Sequence, residues 1–132
     1  MVGIVIVSHS KKLAEGVKEL VEQMVSERIN MEVVGGISRA PGKLGTDPLK
    51  VKEVIAKVMD NDGVLIFGDL GSAILGSKAA IKMLPQDIRE KVVIVNAPLV
   101  EGVFAAAVEL SVGGKLEEAK RAAEESRNLL KI

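Results

Sequence analysis

The spacing of apolar positions changes several times along the chain, and each change marks an element. Residues 2–10, V-G-I-V-I-V-S-H-S, form an unbroken apolar run that ends in polar groups, the pattern of a strand buried on both faces of a parallel sheet. Beyond it, Leu13, Val17, Leu20, Val21 and Met24 recur at helical spacing with Lys12, Glu15, Lys18, Glu19 and Glu22 mostly opposite. An amphipathic helix is therefore expected there, with Ser10 as its N-cap. Residues 31–36 (M-E-V-V-G-G) read as a second short strand, and 37–46 as a loop carrying Arg39, Pro41, Gly42, Lys43 and Gly45. Asp47-Pro48 signals a helix start, aspartate as cap and proline at the first position, and Val51, Val54, Ile55 and Val58 form its buried stripe.

Residues 63–68 (G-V-L-I-F-G) are a third buried strand, 73–84 a helix of small and apolar residues stopped before Pro85, and 92–95 a fourth strand. Between 99 and 110 only Glu101 and Glu109 are charged. A helix this apolar has to be covered on most sides, so part of its surface is expected at a subunit contact. Gly113-Gly114 breaks the chain, and Leu116, Ala119, Ala123 and Leu130 mark a last amphipathic helix. Strands alternating with helices give an α/β, doubly wound, mainly parallel sheet of four to five strands with helices on both faces. Right-handed crossovers bring the carboxyl ends of the first and third strands to the same edge. Residues 1–132 are expected to form one domain.

Composition narrows the chemistry. Eighteen Lys and Arg balance eighteen Asp and Glu, so no overall field draws the chain to nucleic acid or an anionic membrane, and two Phe with no Trp or Tyr leave no platform for stacking bases. The absence of cysteine excludes disulfides and thiolate ligands and fits a cytoplasmic setting, and a single histidine argues against a transition-metal site. The first apolar run lacks the length and basic flank of a signal peptide, and no segment approaches the roughly 20 apolar residues that span a bilayer. Arg39 and Lys43 read either as solvated loop charges or as a docking point for an acidic partner or phosphate.

Two lookalikes fail. Residues 71–78, G-S-A-I-L-G-S-K, nearly spell a phosphate-binding loop, but the lysine is displaced by one position and the segment reads as helix. No G-x-S-x-G elbow exists, and adjacent Ser8 and His9 point to opposite sides of an extended chain, which excludes a serine hydrolase. What survives is His9 and Asp69, each just past a buried parallel strand, where ligands gather in such sheets. A carboxylate on one ring nitrogen fixes the tautomer and leaves the other as a lone-pair nucleophile able to attack phosphorus. Asp69 reads equally as a cap for the following helix. Gly71 and Ser72 would place bare amides and a hydroxyl near the same point, or the glycine serves only a tight turn.

Taken together, residues 2–10, G-T-D-x-x-K-V at 45–51, D-L-G-S-A at 69–73 and A-P-L-V-E-G at 97–102 resemble the mannose-type enzyme IIA family of the sugar phosphotransferase system. Within it they are most similar to the branch serving phosphoenolpyruvate-dependent dihydroxyacetone kinases. The resemblance implies that His9 accepts a phosphoryl group from phospho-HPr and passes it to ADP on a DhaL-type subunit, for dihydroxyacetone held by a DhaK-type subunit. It implies that Asp69 orients the ring while Ser10, Thr46, Gly71 and Ser72 hold phosphoryl oxygens; Thr46 also reads as a plain turn residue before the Asp47 cap. A homodimer is implied, with no metal or cofactor in the chain itself. The alternative within the family is the IIA component of a mannose-family sugar transporter.

Overall fold

The computed structural model describes residues 1–26, 28–36 and 46–132, so Arg39, Lys43 and the rest of the 37–45 loop lie outside the described residues. Four strands, β1 (Gly3–Ser8), β2 (Asn30–Gly35), β3 (Val64–Gly68) and β4 (Val92–Ile94), pair in parallel in the order β2-β1-β3-β4. The helices are α1 (Lys11–Met24), α2 (Pro48–Val58), α3 (Gly71–Lys82), the single-turn α4 (Gln86–Arg89), α5 (Leu99–Ser111) and α6 (Leu116–Glu125).

The unbroken apolar run of β1 follows from its place inside the sheet, because alternate side chains must meet a helical layer on either face. Ile4 and Ile6 join Leu65 and Phe67 of β3 in a core with Ala14, Val17 and Val21 of α1, Val103, Ala106 and Ala107 of α5, and Ala119 and Ala123 of α6. Val5 and Val7 face the other way, into a core with Val51, Val54, Ile55 and Val58 of α2 and Ala73 and Ala80 of α3. Both helix starts anticipated from their caps form: Ser10 Oγ accepts from the Leu13 amide at 3.3 Å and Asp47 Oδ1 from the Leu49 amide at 3.1 Å.

Connectivity fixes the site. The chain leaves β1 for β2 on one side and returns across it to β3 on the other, so the direction of winding reverses between β1 and β3 and opens a crevice at their carboxyl ends. Val7 pairs with Gly68, and the Asp69 amide donates to the Val7 carbonyl at 3.2 Å, which carries the ladder one residue further and sets Asp69 beside Ser8-His9.

Several local expectations need correction. The buried line of α1 runs through Ala14, Val17 and Val21, while Leu13, Leu20 and Met24 lie on an exposed flank. Helix α3 begins at Gly71 rather than 73, because the Leu70 carbonyl accepts from both Ala73 and Ile74 and so closes the first turn earlier. The last helix ends at Glu125, not near Leu130. Ser126 Oγ donates to the Ala123 carbonyl at 2.6 Å and Arg127 Nε to that of Glu124 at 2.9 Å, which tightens the end into a 3₁₀ turn and leaves Leu130 89% exposed.

Candidate functional site

At the crevice, Asp69 sits at the centre of four donors. Its Oδ2 accepts from the Ser8 hydroxyl at 2.8 Å and from the His9 amide at 3.0 Å; its Oδ1 accepts from the Leu70 amide at 2.7 Å and lies 3.0 Å from His9 Nδ1. Two carboxylate oxygens offer about four lone-pair positions in all, so the group is fully used as an acceptor. An acceptor-only partner at Nδ1 requires the ring proton there, which leaves the lone pair of the neutral imidazole on Nε2. Nε2 in turn contacts the Ser72 hydroxyl in the first turn of α3. The His9 side chain is 26% exposed and that of Asp69 10%, so the ring can be reached while its partner is shielded.

The two readings of Asp69 are thereby separated. Leu70, not Asp69, is the N-cap of α3, and no side chain caps that helix; the Asp69 oxygens take the Leu70 amide and three donors from Ser8 and His9 at the end of β1. Of the other expected residues, Gly71 and Ser72 open α3 beside the ring, and Ser10 opens α1 next to it. Thr46 is placed differently: its Oγ1 packs against Gly76, one turn past Ser72 on the same face of α3, where an added β-carbon would lie 3.1 Å away. Thus Thr46 is brought to α3 but makes no described hydrogen bond with His9, Asp69 or Ser72. Ser8 was missed by sequence reasoning. Its one signal is parity, since it continues the Ile4, Ile6 side of β1 and is therefore a hydroxyl where the alternation demands a core residue.

Burial pushes the Asp69 carboxyl upward, but the hydrogen bonds from Ser8, His9 and Leu70 outweigh it and hold the group below the usual aspartate value. A depressed folded-state pKa gives stability that is present above the unfolded value, about 3.9, and is lost as pH falls through the folded one. Asp69→Asn is accordingly expected to destabilise the protein by about 1–3 kcal/mol at neutral pH, and the gap to wild type should close on acidification below about pH 4. Denaturant midpoints of the two proteins across pH measure this. Asp60, whose carboxyl is also held down by the Met1 amine, is common to both and cancels. A gap that stays constant with pH would remove the ionised network.

Known proteins resemble this chain over most of its length. Residues 3–120 match the EIIA-man family, described as the PTS system fructose IIA component. A curated relative from Listeria innocua, "PEP-dependent dihydroxyacetone kinase 2, phosphoryl donor subunit DhaM", is 40% identical over 89% of this chain and 92% of its own length. The DhaM of Escherichia coli K12 is 43% identical over 89% of this chain, which spans only 25% of that longer protein. Among solved structures, a protein of unknown function, EF1359, superposes with a TM-score of 0.85 at 43% identity, covering 94% of this chain and 93% of its own. The phosphotransferase system component EIIA from Streptococcus agalactiae, at 15% identity and a TM-score of 0.72 over 99% and 97% of the two chains, shares the fold. With a family match over nearly the whole length and close curated relatives, the chain belongs to the EIIA-man family of the phosphotransferase system.

Proposed function

We propose that this protein is a phosphohistidine carrier of a dihydroxyacetone kinase, taking a phosphoryl group from phospho-HPr onto His9 Nε2 and delivering it to ADP on a DhaL-type subunit. A DhaK-type subunit would present dihydroxyacetone. The observation that carries the reading is the Nδ1 contact with Asp69 at 3.0 Å, which commits the lone pair to Nε2 of a part-exposed ring. In the uptake step that lone pair forms the new N–P bond while the donor's N–P bond breaks and the donor imidazole leaves with the electron pair. In the delivery step an ADP oxygen displaces the His9 nitrogen in the same way. The names of the curated relatives, phosphoryl donor subunits, support the direction of flow.

The surroundings suit an anion on Nε2. The N-termini of α1 and α3 both open at the crevice, where unpaired amides favour negative charge. Gly71 is open here: an added β-carbon would meet nothing within 4 Å, and its φ is not positive. Neither packing nor a turn requires glycine, and its bareness leaves the Gly71 and Ser72 amides uncovered. On this reading Ser10, Gly71 and Ser72 hold phosphoryl oxygens, Thr46 assists from its place against Gly76 of α3, and no metal or cofactor is assigned to the chain. Among the described residues no helix is long and apolar enough to cross a membrane.

Leu70, 67% exposed next to Asp69, offers an apolar contact for transient docking of the two partners. Helix α5 exposes Val100 and, two turns on, Val108, with Val112 exposed just past its end, a stripe suited to a second copy of the chain.

Reconstitution tests the proposal. With phosphoenolpyruvate, enzyme I and HPr the protein should gain one phosphate, and adding the DhaL-type and DhaK-type subunits with ADP and dihydroxyacetone should discharge it into dihydroxyacetone phosphate. Failure to be labelled overturns the carrier reading. Discharge to a sugar-transporter IIB domain alone would establish the alternative, and a monomer at micromolar concentration would remove the homodimer.

A further inference from the structure

We propose that Ser8 is a positioning residue of this site: its buried hydroxyl, held by the Ser10 amide, fixes the Asp69 carboxylate so that the His9 ring keeps its proton on Nδ1. Ser8 ends β1 on the face of the sheet where Ile4 and Ile6 enter the core, and it is fully buried. A hydroxyl there is unfavourable unless both of its roles are used. Both are. The Ser10 amide donates to Ser8 Oγ at 3.0 Å, and the single hydroxyl proton is directed to Asp69 Oδ2 at 2.8 Å.

Direction matters in this chain of bonds. Because the Ser10 amide can only donate, Ser8 has a lone pair committed to it and its proton left for the carboxylate. Oδ2 is then pinned by two donors from consecutive residues, Ser8 and His9, so rotation of the carboxylate would break both at once. Oδ1 is held where it faces Nδ1. With Ser8 sealed from solvent, water does not replace the lost donor in a variant, so the hydroxyl acts on the ring only through Asp69.

Only the kinetic readout rests on the carrier reading; the ring proton can be observed without any transfer. In Ser8→Ala, nitrogen-resolved NMR of the neutral His9 ring should show the Nδ1–H form giving way to a mixture, and Asp69 should protonate at higher pH than in wild type. Phosphoryl uptake from HPr should slow by about tenfold, with Ser8→Thr, which keeps the hydroxyl, recovering the wild-type tautomer and rate. In the Asp69→Asn background the same Ser8→Ala change should add nothing, since the route through the carboxylate is already gone. A wild-type tautomer and Asp69 titration in folded Ser8→Ala, or effects of Ser8→Ala and Asp69→Asn that simply add, would overturn the assignment. Should wild type itself take up no phosphate, the carrier reading fails while the tautomer result still decides the role of Ser8.

Discussion

His9→Gln should lose all measurable phosphoryl uptake, a fall of at least about a thousandfold, with the fold intact. Glutamine approximates the reach of the imidazole, yet its amide nitrogen has no basic lone pair, so nothing remains at the Nε2 position to attack phosphorus. The neighbouring structure keeps most of its bonds. The residue 9 backbone amide still donates to Asp69 Oδ2, and the Ser8 and Leu70 donors are untouched. The ring's bond to Oδ1 and its contact with the Ser72 hydroxyl are exchanged, at a strand tip where the side chain is part-exposed. The stability change should therefore stay within about 1 kcal/mol. Intact mass after incubation with phosphoenolpyruvate, enzyme I and HPr, alongside a thermal midpoint, checks both halves. A labelled variant would move the nucleophile elsewhere, and a large drop in midpoint would make His9 a structural residue.

The reason this pair could be found in the sequence is that both members stand immediately after unbroken apolar runs. Such runs are strands buried on both faces, and neighbouring buried strands in an α/β sheet share a carboxyl edge. The caps were legible for an equally local reason, since Ser10 and Asp47 precede apolar periodicity of 3.6. What could not be read depends on directions that only the folded chain has. Whether Asp69 caps α3 or serves His9 is decided by where its two oxygens point, and the sequence is the same either way. Thr46 lies near α3 because Gly76 admits it, a contact across 30 residues with no local signature. Leu130 continued the apolar pattern of the last helix, but side-chain bonds from Ser126 and Arg127 to the final turn ended the helix first. Ser8 was hidden because a serine at the end of an apolar run looks like the run stopping. Its parity with Ile4 and Ile6 shows that it is the next core position instead.

Gly35→Ala should destabilise the protein by about 1–3 kcal/mol and slow phosphoryl uptake by more than tenfold, although residue 35 belongs to no part of the chemistry. Gly35 is the last residue of β2 and pairs with Ser8 across the sheet. An added β-carbon would run into Lys11 Cα and lie 2.6 Å from Lys11 N and 3.0 Å from the Ser10 carbonyl carbon. All three are backbone atoms, so no side-chain rotation relieves the contact; either the end of β2 or the start of α1 has to move. The start of α1 carries the Ser10 amide that bonds Ser8, whose hydroxyl in turn bonds the carboxylate that meets His9 Nδ1. A displacement of about 1 Å in a reacting group can reduce a rate by about a hundredfold, so the kinetic loss should exceed what the lost stability explains. Gly16→Ala is the matched control: it makes the same chemical change within α1, meets nothing within 4 Å, and should stabilise the helix by about 0.5–1 kcal/mol. Chemical denaturation and single-turnover uptake on both variants separate the two cases. Wild-type behaviour in Gly35→Ala would show that the β2 end is not what seats the first turn of α1 against the histidine.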